Sequence, residues 1–155
     1  MLRGFEVKLQ RPKDGRSYID SLLAQHHRAS LVSVGVRGHA HQDSKLSSAG
    51  IAANHEFGLG VPERPFMRLT FEQRKDDIQR LTRELEKRVL EERMTTEQAL
   101  AVLGSAAVGY IRSTIDAGVP PPLSPETIKR KGSSKTLIDT AQMKGDISYE
   151  VHRGN

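Results

Sequence analysis

Along this chain, stretches that alternate apolar with polar residues are interleaved with stretches that repeat apolar residues at helical spacing. Phe5, Val7 and Leu9 alternate with Glu6, Lys8 and Gln10, which predicts a half-buried strand ending at "RPKDGRS". Ser17 with Asp20 can then open a helix that carries Ile19, Leu22, Leu23 and His26 on one face. Val32, Val34 and Val36 alternate again and predict a second strand, with Gly35 a candidate bulge or point of close approach. "RGHAHQDSK" has no periodicity, so an exposed, mobile loop is expected over residues 37–47. Ser47 or Ser48 can cap a short helix through Ile51, Ala52 and His55 that stops at Gly58.

The clearest helix follows Pro65. Thr70 with Gln73 reads as a capping box, and Ile78, Leu81, Leu85 and Val89 form one apolar stripe. Asp76/Arg80 and Glu84/Arg88 are spaced for i,i+4 ion pairs on its charged faces. Thr95 with Gln98 repeats the capping pattern and opens a second helix with Leu100, Leu103, Ala107, Ile111 and Ile115 on one face, ending at Gly118. Gly104, Ala106, Ala107 and Gly109 allow this helix to lie close against a sheet, and the short connection predicts an antiparallel hairpin. "VPPPLSPET" is a stiff extended connector, after which Ser124 as N-cap and Pro125 at N1 begin a turn or two of helix ending near Gly132. Ile147, Tyr149 and Val151 alternate as a terminal strand. The expected fold is therefore one α+β domain over residues 1–155, a small antiparallel or mixed sheet packed against a long helical hairpin.

Composition narrows this picture. An apolar share of 36%, no Trp and only seven Phe or Tyr residues imply a modest aliphatic core that can draw support from neighbouring subunits. The absence of cysteine removes disulfides, thiolate chemistry and Cys-based zinc sites. No run resembles a signal peptide or a membrane span, so a soluble, non-secreted protein without membrane contact is expected. The formal charge of +5 is unevenly spread: residues 1–50 carry eight Lys/Arg against four Asp/Glu, and "KRKGSSK" places Lys129, Arg130, Lys131 and Lys135 together. Such basic positions can face a polyanion or simply solvate a surface.

Catalytic patterns are weak. His55-Glu56 resembles the start of a zinc-protease motif, but the second histidine would stand at position 59, which is Leu59. His39 and His41 could add ligands only from the aperiodic loop. There is no Gly-x-Ser-x-Gly elbow, and "RKGSSK" lacks the residue order of a phosphate loop. The expectation is a non-enzyme with no cofactor and no bound metal. Around "NHEFGLGVPERPF" the prolines predict a rigid corner between helices, with Glu56, Arg64 and Arg68 available for charge-assisted bonds inside the corner or across a subunit boundary.

From about Ala52 to Val151 the sequence resembles the tail-completion or neck proteins of long-tailed bacteriophages and prophages. The resemblance rests on separated motifs in order: His55, Glu56, Phe57 and Gly58; Arg64, Pro65 and Phe66; Leu123, Ser124, Pro125, Thr127, Ile128, Lys131 and Gly132; and Leu137, Ile138, Asp139, Thr140 and Gln142. Ala141 stands where the family usually has glycine, and the first 50 residues match in pattern alone. The resemblance implies a tail-terminator-like fold and a structural virion protein of the neck, assembled in the host cytoplasm. It implies a homo-oligomeric ring, usually a hexamer, at the head-proximal end of the tail, with the tail terminator and the head connector or head-completion protein as partners. Genomic DNA would pass through the bore without sequence readout, past basic residues. A tail terminator or minor tail protein is the nearest alternative role, and a small basic sequence-independent DNA-binding protein is the alternative from another class.

Overall fold

The computed structural model describes residues 30–38, 46–131 and 141–153. The expected strand over 5–9, the expected helix from Ser17 and most of the loop over 37–47 lie outside the described residues, as do Gly132, Lys135, Asp139 and Thr140.

The described elements run β1 (Leu31–Val36), α1 (Ser48–Phe57), α2 (Phe66–Gln73), α3 (Lys75–Leu90), α4 (Thr96–Ala117), α5 (Pro125–Lys131), α6 (Ala141–Gly145) and β2 (Ile147–His152). The class is α+β. β1 and β2 pair antiparallel, with Leu31 opposite His152, Val34 opposite Tyr149 and Val36 opposite Ile147. One face of this ribbon lies on α4; the other carries a polar cluster in which Ser33 Oγ is 2.8 Å from His152 Nε2 and Arg37 bonds Ser33 and Glu150.

α4 can lie on the sheet because of Gly104. A methyl group there would stand 2.6 Å from Tyr149 ring carbons and 2.8 Å from a Val32 methyl, so only glycine admits this approach. Below the contact, Val108, Ile111 and Ile115 meet Phe66, Ala52, Val119, Met143 and Ile147 in the core. Phe66, Ile111 and Ile115 are fully buried, each contributing about 1.5–3 kcal/mol relative to an exposed side chain. α4 starts with the expected capping box: Gln98 N–H donates to Thr95 Oγ1 at 3.2 Å and Thr95 N–H to Gln98 Oε1 at 2.9 Å.

The helix after Pro65 differs from the expectation. It begins at Phe66 and breaks at Arg74, so Thr70 is an interior residue rather than a cap. Thr70 is fully buried, and its hydroxyl donates back to the Phe66 carbonyl at 2.6 Å. At the break, the Arg74 guanidinium stands 5.3 Å from the Tyr110 ring centroid and pins the bend to α4. The Glu84–Arg88 pair forms, but Asp76–Arg80 is replaced by Asp77, which joins Arg80 at 2.5 Å and Arg74 at 3.2 Å.

α6 was not anticipated. The stretch before β2 is a short helix rather than an open turn. Arg112 of α4 satisfies the end of this helix by donating to the carbonyls of Lys144 and Gly145 at 3.2 Å, and reaches the start of β2 at the Ile147 carbonyl, 3.0 Å away.

Candidate interface corner

Ser47 Oγ accepts the Gly50 N–H at 3.1 Å and starts α1, which ends at Gly58 in the left-handed conformation with φ 68°. Leu59 N–H then reaches back to the Asn54 carbonyl at 2.9 Å, and Arg64 N–H to the His55 carbonyl at 2.7 Å. The chain between is folded back on the end of α1, which brings Glu56 under the start of α2.

α2 has no side-chain cap of its own, because the residue before it is Pro65. Glu56 fills that role from α1. Glu56 is 6% exposed, and its carboxylate accepts the N–H groups of Met67 at 2.9 Å and Arg68 at 3.1 Å. A carboxylate at a helix N-terminus is held both by the orphan donors and by the helix dipole. Arg68 closes the arrangement, donating to Glu56 Oε1 at 3.2 Å, to the Glu56 carbonyl at 2.6 Å and to Glu63 at 2.5 Å. Its bonds to Glu63, and next those to Glu56, raise its pKa above the ordinary guanidinium value.

Arg64 does a different job. It is 3% exposed, and its guanidinium donates to the carbonyls of Pro121 at 2.9 Å and Pro122 at 3.4 Å. Removal from water lowers its pKa, and no carboxylate among the described residues pairs with it. The prolines fix the backbone of this connector, so its carbonyls are held in place to receive the guanidinium. The corner is thereby tied to the connector that leads into α5.

All three charged groups that the sequence left open to intrachain or intersubunit bonding, Glu56, Arg64 and Arg68, are thus engaged within the chain. The His55-Glu56 pair cannot serve as half of a zinc motif, since Glu56 is occupied as a cap and position 59 lies beyond the end of α1. Among the described residues no three His, Cys, Asp or Glu side chains are grouped to hold a metal ion. The corner presents outward an apolar set, Phe57, Leu59 and Val61 at 63%, 56% and 36% exposed, beside Phe71 at 43%, together with the exposed Glu63–Arg68 ion pair, whose guanidinium lies 5.9 Å from the Phe57 ring centroid.

The structure brings His55, Glu56, Phe57, Gly58, Arg64, Pro65 and Phe66 into this one corner. Pro125 stands apart at the start of α5, which Ser124 caps by accepting the Thr127 N–H at 3.2 Å. Of the basic positions, Lys129 is exposed on α5 and Lys131 ends it; the side chains of Arg130 and Lys131 lie outside the described residues. The sequence reading missed Arg112 and the strap made by Pro121 and Pro122. A lone arginine in the apolar run "VGYIRSTI" was the available signal for the first; the second depends on a contact between residues 57 positions apart.

Comparison of the chain with protein-family models, curated proteins and solved structures finds no match. The geometry and the motif order therefore carry the functional reading.

Proposed function

We propose that this protein is a structural subunit of a bacteriophage neck, forming a ring at the head-proximal end of the tail and joining the tail to the head connector. The reading rests on the ordered motifs shared with tail-completion proteins. The observation that carries it furthest is the corner, where the most chemically suggestive residues hold one helix against another and leave Phe57, Leu59 and Val61 facing outward. A site built for reaction leaves its polar groups free to meet a substrate, whereas a site built for assembly presents an apolar surface on a fixed frame.

In this reading Glu56 and Arg64 position the corner, and the exposed apolar residues make the contact with the adjacent subunit. Arg64 acts through the Pro121–Pro122 strap. The ring is a homo-oligomer, a hexamer by the family resemblance, with a tail-terminator-like subunit fold. DNA traverses the bore, and Lys129 to Lys131 with Lys135 supply phosphate contact without base readout.

Electron microscopy of tails assembled with and without the protein tests the proposal. A ring capping one end of the tail is the expected result, and Phe57→Ser/Leu59→Ser is expected to abolish it while leaving the subunit folded. Arg64→Ala is expected to weaken ring assembly and head-tail joining. Salt-sensitive DNA binding by a free monomer that never caps tails would instead favour the nucleic-acid-binding role.

A further inference from the structure

The apolar face of the corner has a counterpart at the tip of the helical hairpin. Leu85, Val89 and Leu90 of α3 face Leu100 and Leu103 of α4 across a groove of about 390 Å³. Leu90 is 69% exposed. The polar groups along the groove, two threonines and Glu86, do not form the convergent set that a small polar ligand requires. A cavity of about 150 Å³ accommodates benzene, so this groove has room for a phenyl ring with an aliphatic side chain beside it. Phe57 and Leu59 are such a pair.

The two surfaces lie too far apart to meet within one chain. The corner packs on the C-terminal part of α4, where Phe66 meets Ile111 and Ile115, whereas the groove lies on the N-terminal part. Leu100 and Ile115 are roughly 22 Å apart along the helix. A knob at one end of a subunit and a cleft at the other is what a heterologous contact requires, and such a contact closes into a ring when its rotation permits.

Charge agrees with this pairing. Arg68 spends Nε and Nη2 on Glu56 and Glu63, so its Nη1 amino group takes no part in those bonds. On the hairpin, Glu86 and Arg83, three residues apart on α3, are both exposed and enter none of that helix's ion pairs among the described residues. Each surface thus carries one acid and one base beside its apolar residues.

We infer that the groove receives the corner of a second copy of this chain, with Phe57 and Leu59 seated between α3 and α4 and with Arg68 and Glu63 set against Glu86 and Arg83. Given the neck ring on which it rests, this contact makes each subunit both the donor of a corner and the acceptor of one. The apolar side chains supply the adhesion, and the charges at the rim fix the register.

The absence of cysteine in the full chain makes the test direct. Leu59→Cys is combined with Leu90→Cys or with Leu100→Cys, each double variant is assembled on tails and oxidised mildly, and the three single variants are treated alike. The expected result is a ladder of disulfide-linked oligomers on a non-reducing denaturing gel from at least one double variant, with no dimer from any single variant. Dimers from Leu59→Cys alone, or from a groove cysteine alone, would set like surfaces together and overturn the inference. A ring seen by electron microscopy with no disulfide in either double variant would overturn it too, and would leave the neck reading standing. Linked oligomers that never cap a tail would uphold the contact and overturn the neck reading. As a second measurement, on a side chain outside the core, Glu86→Arg is expected to lower the fraction of capped tails several-fold with Tm unchanged. Capping equal to the parent's would count against the contact.

Discussion

Removing the Glu56 carboxylate should destabilise the fold through the start of α2. In Glu56→Ala, the N–H groups of Met67 and Arg68 lose their acceptor, and Pro65 offers no side chain in its place. Loss of an N-cap costs about 0.5–2 kcal/mol, and hydrogen bonds to a charged group are worth about 1.5–3 kcal/mol each. The two figures overlap because they count the same bonds, and water can reach part of the vacated space. A net loss of about 2–4 kcal/mol follows. For a chain of this length each kcal/mol lowers Tm by about 2–4 °C, so a fall of roughly 5–15 °C is expected. Glu56→Gln keeps one acceptor oxygen and turns an NH2 group toward the other donor, so about half the loss is expected. Urea denaturation followed by circular dichroism reads both variants, and an unchanged m-value shows that the native and denatured states remain comparable. If Glu56→Ala unfolds within about 0.5 kcal/mol of the parent, the carboxylate is not the cap that holds α2, and the structural reading of the His-Glu pair fails.

Three further outcomes follow from local geometry. Gly38→Ala is expected to destabilise by about 1–3 kcal/mol, because its methyl group would stand 2.2 Å from Asp146 Oδ2 and 2.9 Å from Ser48 Cβ; the urea midpoint checks it. Glu92→Gly should stabilise by about 0.5–1 kcal/mol, since Glu92, just past the Glu91 C-cap of α3, has φ 56°, a conformation that glycine adopts without a Cβ penalty; a raised Tm checks it. Glu97 has its pKa lowered, first by its own backbone N–H, then by Thr95 and Arg153, so its contribution to stability is present above the ordinary carboxylate range and lost as pH falls through the folded value. Glu97→Gln should therefore show a smaller fall in stability between roughly pH 6 and pH 3 than the parent chain, and an identical fall would refute that account.

Much of the fold was legible because its signals are local. The Thr95–Gln98 capping box, the stop at Gly58 and the start of α5 at Ser124-Pro125 each depend on residues within a few positions of one another, and the structure places all three as read. Thr70–Gln73 has the same local pattern as Thr95–Gln98 but lies inside a helix. There the Glu56 carboxylate caps the earlier start at Phe66, and burial of Phe66 fixes where that helix begins. Local propensity lost to a tertiary contact.

The corner shows the same division. The sequence by itself determined that "HEFGLGVPERPF" is a stiff turn rich in charge, because proline and glycine act on their own backbone whatever surrounds them. It also determined that no second metal ligand follows His55 at helical spacing. Only the tertiary structure decided where the charges go: Glu56 onto the N-terminus of α2, and Arg64 onto carbonyls 57 and 58 residues away. A hydrogen bond is directional and short, so its partner depends on how whole helices are stacked, and that is set by the burial of Phe66, Ile111 and Ile115 rather than by any spacing along the chain.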